Sequence, residues 1–315
     1  MQIPAFYGEK RYYSLSEYCK QAFGEKVYRL SLNGGMTCPN RDGSLSYGGC
    51  AFCSEGGSGD FAADYNVSIS AQIQDAKTRI QKKTDCNKFI AYFQAYTNTY
   101  APISHLKRIF TEALNEKDIV ALSIGTRSDC LSDEVLDLLE ELSQTKPIWV
   151  ELGLQTIHNQ TLFLMNTHTT VEQFDEAVAK LHARNIPIIA HVILGLPEES
   201  PDMIKATVSH VAALPVSGIK LQLLHVLKGT KLATMYEAEP FSIFSMEEYC
   251  DFVIDCLELL PCHMVVHRLT GDGPRKLLIA PLWSTDKKRV LNTIQKKMVE
   301  RGTWQGKLYR SAICD

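Results

Sequence analysis

Short apolar segments alternate with longer segments of helical periodicity over most of the chain. Ile69, Ile73 and Ile80 recur at helical spacing and predict a helix that starts at Ser68. The apolar segments have the length of buried strands and cover residues 27–32, 89–95, 119–125, 148–154, 186–194 and 218–226. The helices predicted between them cover residues 68–83, 103–115, 132–143, 171–185 and 201–214. A helix after each strand indicates a parallel α/β sheet.

Six strand–helix units of this kind predict a partial (β/α)6 barrel over residues 27–240. In such barrels the chemistry lies at the C-terminal ends of the strands. A flat, doubly wound sheet remains the alternative, because it alternates strands and helices in the same way. Residues 1–26 are predicted to form a short helical lead-in, and residues 241–315 a C-terminal α/β extension that covers the open side of the barrel. The elements predicted in the extension are helices over 245–260 and 285–301 and a strand over 264–269.

The composition is that of an ordinary globular protein, with 45% hydrophobic and 22% charged residues. A net charge of −3 argues against a nucleic-acid-binding protein that is positively charged over its whole length. Residues 264–315 nevertheless carry eleven Lys or Arg and four acids, so this end has a charge of +7 and the rest of the chain −10. A basic end of this kind can contact phosphates, and the alternative is a solvated helix face.

The sequence also indicates the cellular compartment in which the protein is expected. It has no apolar run of 18 residues, and its first ten residues lack the basic-then-apolar form of a signal peptide. Ten cysteines in a chain without an export signal favour a reducing compartment over a disulfide framework. We therefore expect a cytoplasmic protein with no membrane partner.

Three cysteines, Cys38, Cys50 and Cys53, form the densest candidate site, with Cys-x11-Cys-x2-Cys spacing in a glycine-rich segment. A structural zinc ion usually takes four nitrogen or sulfur ligands, whereas thiolates also hold iron–sulfur clusters. The spacing favours a 4Fe-4S cluster with one iron that the protein leaves open. Zinc completed by a distant fourth residue is the alternative.

The cysteine segment and its flanks resemble the radical S-adenosylmethionine (SAM) family. The similarity rests on the cysteine spacing, on Asn33-Gly34-Gly35, on the segment from Cys38 to Gly43 and on Gly195-Leu196-Pro197. It is strongest for short bacterial members similar to the catalytic subunit of Elongator. The resemblance implies a partial barrel, a 4Fe-4S cluster on the three cysteines, and SAM on the open iron. It also implies reductive cleavage of SAM to a 5′-deoxyadenosyl radical.

The resemblance, together with strand-end positions, assigns candidate cofactor contacts. Glu151 and Gln155 share one face of a strand, where polar groups need polar partners. The full set of candidate cofactor contacts is Phe52, Gln94, Tyr96, Thr97, Thr126, Glu151, Gln155, His191 and Leu196. Thr167 stands where relatives commonly carry an arginine that pairs with the SAM carboxylate, so another group must do so here. Arg127 and Asp129 admit the plainer interpretation of a surface ion pair.

A polar segment in the extension supplies the candidate substrate contacts. His267, Arg268, Asp272 and Arg275 lie in a segment that resembles the same branch and is predicted to lie over the barrel mouth. The alternative is a structural turn capped by Asp272. No catalytic residue beyond the cofactor ligands is assigned.

The similarity to Elongator implies a function for the chain. It suggests a radical SAM enzyme that modifies the C5 side chain of a tRNA wobble uridine, with tRNA and an electron donor such as flavodoxin or ferredoxin as partners. One alternative is a non-catalytic iron–sulfur or zinc protein. Another is a radical SAM enzyme that acts on a small metabolite or a peptide.

Overall fold

The alternation of strands and helices produces one curled sheet with helices packed on it. The protein is described here by a computed structural model, which covers residues 3–57, 59–60, 62–271 and 273–309. The strands are β1 (Tyr28–Leu32), β2 (Phe89–Phe93), β3 (Ile119–Arg127), β4 (Ile148–Gln155), β5 (Ile188–Leu194), β6 (Gly218–Leu223), β7 (Val226–Leu227), β8 (Val265–Arg268) and β9 (Leu278–Ala280). Seven of them form a parallel sheet in the order β1-β2-β3-β4-β5-β6-β8, and β7 pairs with β9 in a small antiparallel ribbon.

The described part of the chain also contains ten α-helices. They are α1 (Leu15–Phe23), α2 (Ile69–Gln81), α3 (Ile103–Asn115), α4 (Asp133–Ser143), α5 (Asn159–Leu164), α6 (Val171–Ala183), α7 (Pro201–Ala213), α8 (Lys231–Ala238), α9 (Met246–Glu258) and α10 (Lys287–Glu300). Side-chain oxygens of Ser68, Ser132 and Ser200 accept backbone N–H bonds at the starts of α2, α4 and α7. None of the described helices combines the length and the apolar character that crossing a bilayer requires.

The predicted partial barrel is confirmed, with one strand more than the six expected. The sheet order follows the chain without reversal, so a doubly wound sheet, in which the order reverses, does not describe it. The seventh strand, β8, comes from the segment 264–269 that was predicted to be a strand of the extension, and it pairs in parallel with β6. The strand count was too low because α8 and α9 both separate β6 from β8, and this longer connection hides the repeat.

The two faces of the strands have different surroundings. Residues such as Leu122, Val150 and Leu152 point towards the helices and belong to the main hydrophobic core. The alternate residues face the inside of the curl. At its N-terminal end they are apolar, as at Trp149, and pack against the lead-in helix α1 through Leu15. Further along the strands the inward positions become polar, and this change places the site at the C-terminal ends.

The C-terminal helix α10 lies on α9. Its apolar residues Val290 and Ile294 are buried in the main core. Lys297 Nζ donates to Asp251 Oδ2 at 2.8 Å, and Arg301 donates to Asp251 and Asp255 at 2.6 and 2.8 Å. Part of the basic C-terminal charge therefore belongs to ion pairs between the two helices, while α10 residues such as Lys288 and Arg289 stay exposed.

Candidate functional site

The cysteine loop follows β1 and is fixed to the segment after α5. Asn40 donates through Nδ2 to the carbonyl of Asn166 at 2.6 Å, and Asn166 donates in return to the carbonyl of Gly49 at 2.9 Å. The backbone N–H of Ala51 donates to the carbonyl of Met165 at 2.8 Å. Gly49 has a φ of 80°, a value that glycine adopts without strain. These bonds hold the three cysteines in one fixed loop.

The three cysteines line a single cavity at the C-terminal ends of the strands. The Cys53 thiol and burial raise the pKa of Cys50 well above its usual value, and the smaller effects of Arg127 and the amide of Asn40 oppose this rise. Asn40 Nδ2 donates to Cys50 Sγ at 3.4 Å. Such N–H donors and nearby cations favour thiolates and the anionic clusters that thiolates hold.

The donor set of this cavity fits an iron–sulfur cluster. It offers three sulfur atoms, an N–H donor to one of them, and the guanidinium of Arg127 within electrostatic reach of Cys38 and Cys50. Among the described residues, no three His, Cys, Asp or Glu side chains are grouped to hold a single metal ion, as the zinc interpretation needs. Cysteine thiolates are the usual ligands of iron–sulfur clusters, so the donor set is compatible with one.

Arg127 is not the surface ion pair that its sequence position allows. Its side chain is 12% exposed and that of Asp129 14%, and the two form a bidentate pair at 2.9 and 2.7 Å. Arg127 Nη1 also donates to the carbonyl of Thr167 at 2.8 Å. A guanidinium therefore stands beside Thr167, where relatives were expected to carry an arginine. It comes from β3 rather than from the segment after α5.

Below the cysteines, a buried polar network is centred on Glu151. Its carboxylate accepts from Ser123 Oγ at 2.9 Å and from His191 Nε2 at 2.9 Å, and it forms an ion pair with Lys220, which also donates to Tyr92 at 2.9 Å. Burial alone would raise the pKa of Glu151, but Lys220, then His191, outweigh burial and hold this pKa well below its usual value. The carboxylate is therefore ionised.

The neighbouring imidazole is neutral in this network. Burial, assisted by the charge of Lys220, lowers the pKa of His191 to about 4 against the opposite effect of Glu151. A neutral His191 that donates through Nε2 to the carboxylate keeps Nδ1 as an acceptor. The Glu151 network thus combines fixed charges with a hydrogen-bonding ring at the edge of the cavity.

Two residues at the strand ends have unusual backbone geometry. Tyr96 and Gln155 have φ values of 61° and 70°, in a region that non-glycine residues seldom occupy. Strain of this kind is concentrated at functional sites. Gly153 leaves room for the Gln155 side chain, since a Cβ at 153 would lie 2.9 Å from Gln155 Nε2.

The cavity brings together most residues predicted to contact the cofactors. Its lining includes Cys38, Cys50, Cys53, Phe52, Gln94, Tyr96, Thr97, Thr126, Glu151, Gln155 and His191. Leu196 lies elsewhere: its side chain is buried in an apolar cluster with Ala51 and Met165 beneath the cysteine loop. The contacts of these residues with a cofactor stay predictions.

The predicted substrate residues do not lie together. Arg268 lines a second cavity that adjoins the first, and Arg268 Nη1 donates to Gln222 Oε1 at 3.4 Å. His267 lies deeper, with its ring centroid 6.1 Å from that of Trp149, and Arg275 is exposed. Asp272 lies outside the described residues.

Sequence reasoning missed several polar residues of the site. Tyr92, Ser123 and Lys220 were counted only as strand residues, and Arg41 and Asn40 only as part of the motif. The period-two alternation could have indicated Lys220, because Lys220 and Gln222 occupy alternate positions in an otherwise apolar strand. No comparable pattern in the sequence indicates which residues Arg127 contacts.

The chain matches two family models, the radical SAM superfamily over residues 37–211 and the radical SAM C-terminal domain over residues 216–300. It is 46% identical over 302 residues to the uncharacterized protein YtqA of Bacillus subtilis, an alignment that covers 96% of this chain and 94% of YtqA. It is 26% identical over 163 residues to a tRNA uridine(34) acetyltransferase of Methanocaldococcus infernus, with 51% of this chain and 30% of that protein covered.

Among solved structures, that of the archaeal Methanocaldococcus infernus Elp3 with an N-terminal deletion is similar in fold. Its TM-score is 0.69 at 19% sequence identity, and the match covers 89% of this chain and 64% of that chain. This chain therefore spans less than two thirds of that Elp3, and the structural likeness concerns the fold alone. The family match and the long alignment with YtqA settle membership: the chain belongs to the radical SAM superfamily.

Proposed function

We propose that this radical SAM enzyme modifies the C5 side chain of the wobble uridine of tRNA. The observation that carries the radical SAM part is the convergence of three cysteine thiols on one cavity at the C-terminal end of a parallel half-barrel. Membership of an enzyme superfamily favours this function over a non-catalytic iron–sulfur or zinc protein. The choice of tRNA is supported by the partial similarity to a tRNA uridine(34) acetyltransferase.

Different residues of the cavity would hold the cluster and SAM. Cys38, Cys50 and Cys53 would hold a 4Fe-4S cluster, and the inward-facing residues of β2 to β5 would bind SAM. When bound, these groups supply one-electron chemistry, in which SAM is cleaved reductively and a hydrogen atom is taken from the substrate. Arg127 brings positive charge close to Cys38 and Cys50, and the ionised Glu151 holds His191 through a hydrogen bond.

Charge at the rim supports an RNA substrate. Arg275 and Lys276 are exposed and directly follow Pro274, which lines the second cavity. Lys287, the first residue of α10, lies near enough to the second cavity to lower the pKa of His225 there, and the neighbouring Lys288 and Arg289 are exposed. Cations next to a cavity can bind the phosphates that flank a base, since phosphate contacts position a nucleic acid without reading its sequence.

The reaction also implies a partner and a compartment. Reductive cleavage consumes an electron that another molecule must deliver, and we propose a small carrier such as flavodoxin or ferredoxin. We propose the cytoplasm as the compartment, where tRNA and such carriers occur. The nine cysteines in the described part of the chain are free thiols, as a reducing compartment requires.

Deleting the gene is expected to change the modified nucleosides at the tRNA wobble position. If the chain acts on a C5 side chain, its substrate nucleoside should accumulate and its product should disappear, and mass spectrometry of digested tRNA measures both. A plasmid with the wild-type gene should restore the parental profile, whereas a Cys38→Ser allele should not. Identical profiles in the deletion strain and its parent would contradict the tRNA assignment.

A further inference from the structure

A second cavity adjoins the cysteine cavity and shares Phe52, Gln94, Gln155 and His191 with it. A ligand in the second cavity would therefore lie beside any ligand in the first. Its remaining walls come from the C-terminal ends of β5, β6 and β8, from the segment between β6 and β7 with the following Leu227, from the segment after β8, and from Ser54 and Asp60 after the cysteines. The apolar part of this wall consists of Ile193, Leu223, Leu224 and Leu227.

Among the polar side chains of this wall that sequence reasoning did not single out is His225. It follows β6, and its Nε2 is buried without a hydrogen-bond partner among the described residues. A buried polar atom without a partner is costly, so its retention here points to a ligand that supplies the bond. The ring faces the cavity that also contains Gln222.

Two glycines make the space for this ring. A Cβ at residue 273 would lie 2.5 Å from His225 Nδ1, and a Cβ at residue 271 would lie 2.7 Å from His225 Nε2. Both distances are shorter than real side chains tolerate, so an alanine at either position would displace the imidazole. The segment after β8 thus fits around His225 in its present position.

The imidazole is neutral at physiological pH. Burial, then the charges of Lys287 and Arg268, lower the pKa of His225 to about 4. A neutral imidazole carries one N–H donor and one acceptor nitrogen. The bond from Arg268 fixes the Gln222 amide oxygen, which directs the amide N–H groups away from Arg268. The cavity therefore offers both donors and acceptors between apolar walls.

We propose that the second cavity receives the pyrimidine base of the substrate and that His225 binds the hydrogen-bonding edge of that base. This inference rests on the proposed function. Enzymes that act on a base extrude it from the stack, hold it between apolar or aromatic side chains, and form hydrogen bonds to its Watson–Crick edge. The imide edge of uracil presents a donor between two acceptors, which a neutral imidazole and an amide can match.

The test compares two anticodon stem-loop RNAs that differ only at the wobble position, which is uridine in one and abasic in the other. Fluorescence anisotropy measures their affinities for the full-length, anaerobically reconstituted protein. The wild type is expected to bind the uridine RNA about tenfold more tightly, as expected for a buried hydrogen bond and base packing. In His225→Ala this preference should fall to about twofold or less.

Two further variants keep the test decisive if His225→Ala folds poorly. Gly273→Ala retains the imidazole but displaces it, so it should lose the preference too, while His225→Gln retains a donor and an acceptor and should keep part of it. His210→Ala is the matched control, because His210 pairs with Asp175 on α6, outside both cavities. All proteins are compared at equal iron content.

The outcomes separate this inference from the proposed function. If the wild type prefers uridine and both His225→Ala and Gly273→Ala retain that preference, the role of His225 is wrong and the tRNA assignment stands. If the wild type binds neither RNA, or both equally, the inference fails, and the tRNA assignment is decided separately by the nucleoside profiles of the deletion strain. Loss of the preference in the two variants but not in His210→Ala supports the inference.

Discussion

Replacing any one of Cys38, Cys50 and Cys53 with serine is expected to remove the iron–sulfur cluster and, with it, all cleavage of SAM. The three thiols line one cavity, and no other described cysteine lines it. A serine hydroxyl stays protonated where a cysteine thiol releases its proton to solvent and binds iron as the thiolate, so the two remaining cysteines cannot hold the cluster stably. Iron and sulfide per chain after anaerobic reconstitution should fall to near zero.

Cys86→Ser is the matched control for this prediction. Cys86 is buried like many core residues, and its Sγ lies 3.3 and 3.5 Å from the carbonyl oxygens of Lys88 and Lys26, which a serine hydroxyl can also reach. This variant should keep its iron and sulfide. Full cluster content in Cys38→Ser, Cys50→Ser or Cys53→Ser would show that the cavity does not hold the cluster.

Glu151→Gln is expected to lower the free energy of unfolding by about 3–5 kcal/mol, because it leaves the buried cation of Lys220 without its carboxylate. Both side chains have no exposed surface, and Arg29 lies 3.9 Å from the carboxylate as a further cation. Urea denaturation at neutral pH measures the loss. Lys220→Met in the same background should recover part of it, because the double variant buries no unpaired charge.

Glu141→Gln provides the comparison at the surface. Glu141 pairs with Lys107 at 2.7 Å, but both side chains are more than half exposed, so this change should cost less than about 1 kcal/mol. Equal losses in Glu151→Gln and Glu141→Gln would mean that the buried network does not contribute as described.

The pH dependence has a definite sign. The pKa of Glu151 in the folded chain lies below its ordinary value of 4.5, so its stabilisation is complete above that value and is lost as the pH falls through the folded pKa. The difference between wild type and Glu151→Gln should therefore be largest near neutral pH and shrink in acid.

The partial barrel could be predicted because its pattern is local. Strands buried on both faces are continuous apolar segments, and the helices between them carry clear periodicity and serine caps. The prediction was less accurate after residue 218, where the expected strand divides into β6 and β7. Two residues, Leu224 and His225, separate them and direct the chain into the short ribbon with β9. Neither is a turn-forming residue that would have marked the break.

Residues of the candidate site were predictable where the alternation of side chains along a strand decides which face of the sheet each side chain points to. Glu151 and Gln155 were expected to face inwards, and both line the cavity. Arg127 was not recognised as part of the site, because its contact with Thr167 joins residues 40 positions apart through the curl of the sheet. His225 was not recognised as a site residue for a similar reason, because its environment depends on two glycines more than 40 residues downstream.

The most direct test of the central claim is a measurement on the wild-type protein. Radical generation by this protein requires three thiolates that leave one iron of a 4Fe-4S cluster open to SAM. After anaerobic reconstitution and chemical reduction, added SAM should change the electron paramagnetic resonance spectrum of the cluster and yield 5′-deoxyadenosine and methionine. A protein that holds a single zinc ion, or a cluster whose spectrum is unaffected by SAM and which forms no 5′-deoxyadenosine, would contradict the account.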